Sequence, residues 1–366
     1  MIRQNRLLAV RFAAVITAVS VAVSAAVSLP VCASAAPVSA RSDRELRPLQ
    51  VQITEEGQRV VFDRYTWQRR ELTKRLPLDQ PWPNENDIGA AFAKYGLDKP
   101  PVPEFIPTPA RILPDVYLVG SQPNHTYLID GGPEGLALVD PGLVSNFDAI
   151  VANVERLGFP RKRIRWVLNT HAHFDHSMAD GLFQRLGAKI LIGSADADAV
   201  ERATRVTANY MLPPQTLATY PRTKIDWRVV DGEELRLGNK TFHVIHTPGH
   251  TEGSSCFLLQ FEGRNILFTG DTLLYDHRLG AQTTAYADNR SYVGSLGKLA
   301  RFTLNMADGV RWDTLLPGHG VLVLDRAYLD IEKGWRTVQI DLLEGDPVDA
   351  LPFATDRYRT LMFGRP

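Results

Sequence analysis

The sequence predicts an α+β sandwich, two sheets packed together with helices outside, preceded by an irregular N-terminal arm. Three observations carry that expectation. From residue 116 onward, apolar runs of strand length alternate with segments of helical spacing, bounded by Gly, Pro and Asn turns. The alternation comes in two rounds, each with enough strands for its own sheet. Between residues 36 and 110, prolines (Pro77, Pro81, Pro83, Pro100, Pro101, Pro103, Pro107 and Pro109) recur too densely for long elements.

The first round opens with strands over residues 116–119, 126–129 and 136–139, separated by Gly-Ser-Gln-Pro-Asn and Gly131-Gly132-Pro133 turns. Residues 147–157 have helical spacing that ends at Gly158 and Pro160. A strand over 164–168, a short helix over 179–186 closed by Gly187, a strand over 189–192 and a helix over 195–203 follow. The second round has a strand over 241–246, then a hairpin running from 255–261 across Glu262-Gly263-Arg264-Asn265 to 266–269. A helix over 293–303, a strand over 314–316 and a closing helix over 326–343 complete it. Within the arm only residues 66–74 and 88–95 suit helices, and its aromatics Phe62, Tyr65, Trp67, Trp82 and Phe92 are expected to pack on the sandwich.

A chain of 366 residues with 44% hydrophobic and 22% charged residues suits one large or two modest globular domains. Lys+Arg and Asp+Glu both number 41, and no block of like charge stands out, so no nucleic-acid partner is expected. Arg3, Arg6 and Arg11, the apolar run over residues 12–31 and Ala33-Ser34-Ala35 form the pattern of a secretory signal peptide. The division is therefore residues 1–35 as signal, 36–110 as arm and 111–366 as the main domain. The expected location is periplasmic or secreted, with no stable membrane association after cleavage. An uncleaved anchor is the alternative, since a run of about 20 apolar residues also spans a bilayer. Of the two cysteines, Cys32 leaves with the signal, so Cys256 has no internal partner and reads as a buried small hydrophobe.

Chemistry concentrates at strand ends. After the 164–168 strand comes Thr170-His171-Ala172-His173-Phe174-Asp175-His176, four ligand-type residues within six positions. On a helix His171 and His173 would point apart, whereas in an extended or looped segment they share a side. Imidazoles with a carboxylate are a ligand set for zinc and its first-row neighbours. His250 ends Thr247-Pro248-Gly249-His250, Asp271 ends Thr269-Gly270-Asp271, and His319 lies in Pro317-Gly318-His319-Gly320, each just past a strand. Thr170, Thr251 and Asp140 are candidates to support the ligands. His243 and His246 read as ordinary core or surface residues. Asn124-His125 suits either the pocket or a turn, and Tyr275, Asp276 and His277 are candidates to line the substrate side.

The series His-x-His-x-Asp-His, Thr-Pro-Gly-His-Thr, Thr-Gly-Asp-Thr and Pro-Gly-His-Gly resembles the metallo-β-lactamase superfamily. Its separations are 79 residues from His171 to His250, 21 more to Asp271 and 48 more to His319. The likeness runs roughly from Ile112 to Leu343. It implies a four-layer αβ/βα sandwich and two zinc ions per chain, the first on His171, His173 and His250, the second on Asp175, His176 and His319. Asp271 would bridge them, and Asp175 and Asp271 would be the catalytic carboxylates. The activity implied is hydrolysis of a small-molecule substrate by a metal-bridging hydroxide.

The stretch 169–174 and the nearby region 112–142 resemble the three-histidine metallo-β-lactamase subclass, but that subclass has no aspartate at the place of Asp271. Lactonases and glyoxalase II-type hydrolases do, so an ester, lactone or thioester-type bond is the expected target. Hydrolysis of β-lactam antibiotics and a mononuclear iron persulfide dioxygenase are the alternatives. A non-catalytic binding protein of this fold is disfavoured because no ligand is missing. Ser177-Met178-Ala179-Asp180 stands where the family commonly shows a glycine pair.

Overall fold

The computed structural model describes residues 51–54, 57–60, 90, 93–96, 109–120, 124–204, 220–274, 288–305 and 311–343. The signal-like segment, the arm aromatics and the stretch from Tyr275 to His277 lie outside them. Fifteen strands are described: β1 (Val51–Thr54), β2 (Gly57–Val60), β3 (Ala110–Leu113), β4 (Val116–Leu118), β5 (Tyr127–Asp130), β6 (Leu136–Val139), β7 (Ile164–Asn169), β8 (Lys189–Gly193), β9 (Trp227–Val229), β10 (Glu234–Leu237), β11 (Lys240–His246), β12 (Ser255–Phe261), β13 (Arg264–Gly270), β14 (Thr314–Pro317) and β15 (Leu322–Val323). The helices are α1 (Phe147–Arg156), α2 (Phe174–Ser177), α3 (Asp180–Arg185), α4 (Ala197–Arg202), α5 (Asn289–Asn305) and α6 (Ala327–Leu343).

One sheet has the order β1-β2-β15-β14-β13-β12-β11-β10 and the other β3-β4-β5-β6-β7-β8-β9. Period-two alternation decides which side chains fill which layer. Tyr127 and Ile129 of β5 and Ala137 and Val139 of β6 meet Phe257, Leu259, Ile266 and Phe268 of the opposite sheet in a shared core. Leu128, Leu136 and Leu138 point the other way, onto Ile150, Val151 and Val154 of α1 and Phe183 of α3. Cys256, Leu258 and Leu267 likewise leave the opposite sheet toward Leu296 and Leu299 of α5 and Ile331 of α6. Burial on both faces is why these strands read as continuous apolar runs, and it gives the four-layer αβ/βα sandwich. Cys256 is fully buried, and desolvation pushes its thiol up to about 11, as suits an inert filler.

The arm is not irregular throughout its described part. β1 and β2 form a hairpin whose second strand pairs antiparallel with β15, extending the eight-stranded sheet. Four further short strands, β3, β9, β10 and β15, were not anticipated from the sequence. Among the described residues no helix is long and apolar enough to cross a membrane.

The topology gathers strand ends. β6 to β9 run parallel in one sheet, and β13 and β14 run parallel in the other. Asp140, His171 and Asp196 therefore follow three neighbouring strands of one sheet, and Asp271 and His319 follow two neighbouring strands of the other. Sites outside the carboxyl ends of strands are positioned by a rigid scaffold in this way.

Candidate metal centre

Beyond Asn169 the chain bends at Thr170 and His171 and is extended at His173, with φ −62° and ψ 148°, before α2 begins, and this looped path brings the His171 and His173 rings to one side. α2 then turns Asp175 and His176 into the same space. His171 Nε2 and His173 Nδ1 stand 3.0 Å apart. His250 Nε2 faces Asp271 Oδ2 at 3.5 Å. His176 Nε2 and His319 Nε2 each lie 3.3 Å from Asp271 Oδ1. Asp175 Oδ2 completes the second set, 3.4 Å from His319 Nε2 and 3.7 Å from His176 Nε2.

All seven residues expected from the sequence thus converge. Three sets of three have ligand atoms within 4.8 Å of one another: His171, His173 and His250; His171, His176 and Asp271; Asp175, His176 and His319. Two ligand atoms on one tetrahedral zinc, at about 2.0–2.1 Å from the ion, are about 3.3 Å apart, so the observed spacings fit such ions. His176 Nε2 and Asp271 Oδ1 are buried and unsatisfied by hydrogen bonds, a cost that a cation between them would remove. The side chains of Asp175 and His319 are 22% and 19% exposed while the other five candidate ligands are nearly closed off, so the cluster opens on that side.

The electrostatics divide the histidines. Burial, reinforced by the neighbouring rings, holds His171 well below the usual imidazole range and His173 at about 3, leaving both neutral with lone pairs to offer. Burial alone would lower His176 too, but the carboxylates of Asp271, Asp175 and Asp140 outweigh it and push the ring up to about 10. His319 is raised in the same way, chiefly by Asp271 against the burial cost. Positive charge is wanted where the second set of ligands meets.

A second layer of contacts aims the rings. Asp140 accepts from Thr170 N at 2.8 Å and Thr170 Oγ1 at 2.7 Å, and its Oδ2 accepts from His176 Nδ1 at 2.9 Å, which turns Nε2 toward the centre. Thr170 Oγ1 lies 3.1 Å from His171 Nδ1, with the same effect on that ring. Asn124 faces the pocket: its amide donates to Asp175 Oδ2 at 3.0 Å, and its backbone forms a bridge with His319. His125 instead is a buried neutral ring, lowered to about 3 by desolvation, with Nε2 on the Gly320 carbonyl at 2.8 Å. The unusual Ser177 and Asp180 are both buried: Ser177 bonds the carbonyls of Ala172 and His173 and the hydroxyl of Tyr220, and Asp180 accepts from Asn169 Nδ2 at 2.6 Å. His243 and His246 stay half-buried on β11, outside the ligand sets. Asp196 was missed from the sequence, although it follows β8 as His171 follows β7; its carboxylate accepts from the Ala172 N–H between His171 and His173 and from the Thr251 hydroxyl beside His250.

Residues 119–307 match the model of the metallo-β-lactamase superfamily. A probable metallo-hydrolase of Methanocaldococcus jannaschii is 30% identical over 203 residues, 54% of this chain and 87% of that one. A hydroxyacylglutathione hydrolase of Anaeromyxobacter dehalogenans is 33% identical over 181 residues, 48% of this chain, and the match spans only 57% of that protein's length. Among solved structures, the MIM-2 metallo-β-lactamase superposes with a TM-score of 0.52 at 22% identity, covering 66% of this chain and 91% of its own, a likeness of fold. The chain is a metallo-hydrolase that belongs to the metallo-β-lactamase superfamily.

Proposed function

We propose that the mature chain holds two zinc ions and hydrolyses an ester, lactone or thioester-type bond in a small-molecule substrate. One observation carries this reading: the Asp271 carboxylate gives Oδ2 to the His250 side and Oδ1 to His176 and His319. One side chain thus joins a three-histidine set to an Asp-His-His set, as a bridge between two ions requires. When bound, such ions lower the pKa of water toward about 7 and polarise the oxygen of the scissile carbonyl.

The protein's own groups do the rest. His171 and His173 offer neutral nitrogens, His250 adds a third imidazole, and Asp140 holds His176 in the tautomer that faces inward. Asp175 and Asp271 orient the attacking water and carry its proton. Water oxygen joins the acyl carbon, the bond to the alcohol or thiol breaks, and the proton ends on that leaving group. Asp175, on the exposed side with His319, is the carboxylate nearest arriving substrate. The named activity of the hydroxyacylglutathione hydrolase relative supports an acyl substrate.

The test is metal content of protein purified without chelator, followed by a panel of esters, lactones, thioesters and β-lactams. Two zinc ions per chain and turnover of the acyl compounds are expected. One iron per chain would replace this reading with the dioxygenase. Export belongs to the same proposal, supported by the basic start and apolar run of residues 1–35. Mass spectrometry of the natural protein should find its N-terminus near Ala36, and an intact Met1 on membranes would point to an anchor instead.

A further inference from the structure

Asp196 stands at the N-cap of α4, with φ −91° and ψ −13°, yet makes no capping hydrogen bond. An aspartate at this position ordinarily accepts from the first N–H groups of its own helix. Here the carboxylate turns the other way. Oδ2 accepts from the backbone N–H of Ala172 at 2.8 Å and from the Thr251 hydroxyl at 2.7 Å. Oδ1 accepts from the backbone N–H of Gly253 at 2.7 Å.

The partners lie in the two segments that carry the three-histidine set. Ala172 separates His171 from His173, and Thr251 follows His250. The segments arrive from different sheets, and Asp196, 1% exposed, is the carboxylate tying one to the other. The approach is too close for side chains at two glycines. A Cβ on Gly253 would lie 2.4 Å from Asp196 N, and one on Gly193 would lie 2.0 Å from the Gly253 carbonyl oxygen. Asp175, His176 and His319 have other supports, in Asn124 and Asp140.

We propose that Asp196 is a positioning residue for the three-histidine set, holding His171 and His173 against His250 at the separation that one metal ion needs. This rests on the two-metal reading above. Asp196 touches none of the three imidazoles; it acts through the backbone N–H groups of Ala172 and Gly253 and the hydroxyl of Thr251. An amide in its place would turn one accepting oxygen into an N–H2 group facing donors.

The test titrates metal-free protein with Zn2+ against a competing chelator, and with Co2+ followed by its absorption. The proteins are wild type, Asp196→Asn and Thr251→Val, each alone and combined with His319→Ala, which leaves the three-histidine set as the complete one. Asp196→Asn should weaken one of the two ions about 10- to 100-fold and spare the other, the usual effect of losing such outer support. Combined with His319→Ala, it should weaken the remaining ion by the same factor, and Thr251→Val should do so less. Equal weakening of both ions, or none, would overturn the proposal, with thermal unfolding of the metal-free forms reporting general loosening separately. If Asp196→Asn does not fold, Thr251→Val with His319→Ala decides, and unchanged affinity there is the negative result. A wild type that binds only one ion would sink the two-metal reading, while the His319→Ala proteins would still judge Asp196.

Discussion

The side-chain amide of Asn124 donates to Oδ2 of Asp175 across 3.0 Å, and that oxygen is the one facing His319 Nε2 at 3.4 Å. A carboxylate oxygen has lone pairs for both an N–H donor and a cation, so the amide fixes the Asp175 rotamer without competing for the ion. Asn124→Ala should loosen the ion held by Asp175, His176 and His319 and lower kcat/KM about 10-fold, roughly 1.4 kcal/mol. Metal retention under dialysis and kinetics on one substrate check it; wild-type behaviour in both would make the contact incidental.

Gly318 marks how tightly the second set is packed. A Cβ there would stand 2.5 Å from His176 Cε1 and 2.7 Å from Asp271 Oδ1. Neither group can yield without leaving its ligand position. Gly318→Ala should therefore cost about 1–3 kcal/mol in overpacking and displace the second ion before it unfolds the domain. Zinc analysis beside thermal unfolding separates the two effects, and a variant that keeps full metal content and activity would contradict the contact.

The metal-free protein should respond to pH with a definite sign. The folded value of His176, about 10, lies above the roughly 6.5 of an unfolded histidine. Its proton therefore contributes stability that is fully present below about pH 6.5 and is lost as pH rises toward about 10. The unfolding midpoint of chelated protein should fall across that window, and His176→Gln should flatten the fall. Zinc-loaded protein should not show it, because metal ions take the place of the protons. A chelated protein whose midpoint is level from pH 6.5 to 10 would refute the charge assignment.

What was legible in the sequence follows from what each residue needs. Strands buried on both faces, such as β6 and β12, declare themselves as apolar runs between turn residues. β15 has two residues and β9 has three, and β1 and β2 have four each, so none is long enough to be seen alone. The seven ligand-type residues were visible because His171, His173, Asp175 and His176 crowd into six positions just past a strand, and His250, Asp271 and His319 each follow a glycine at a strand end. Asp196 was not, because its partners Ala172 and Thr251 are 24 and 55 positions away and its helix-start position has an ordinary explanation. Asn124 could only be named as a pocket or turn residue until the bridge to His319 placed it on Asp175.

Asp271 separates the leading substrate readings. Its two oxygens face different ligand sets, so removing the carboxylate takes a partner from His250 on one side and from His176 and His319 on the other. Asp271→Ala should weaken retention of the second ion and lower the rate by about 100-fold or more, roughly 3 kcal/mol of barrier. The three-histidine set keeps all its members in that variant, so one ion should stay bound. The β-lactamase subclass with three histidines lacks this aspartate, whereas lactonase and glyoxalase II-type hydrolases have it. The wild type should accordingly favour an ester, lactone or thioester, and turn over β-lactams weakly or not at all. The measurement is kcat/KM across both substrate types, with metal content of Asp271→Ala beside it. Efficient hydrolysis of a penicillin or carbapenem by the wild type would reverse the ranking, and unchanged metal content and rate in Asp271→Ala would remove the bridge.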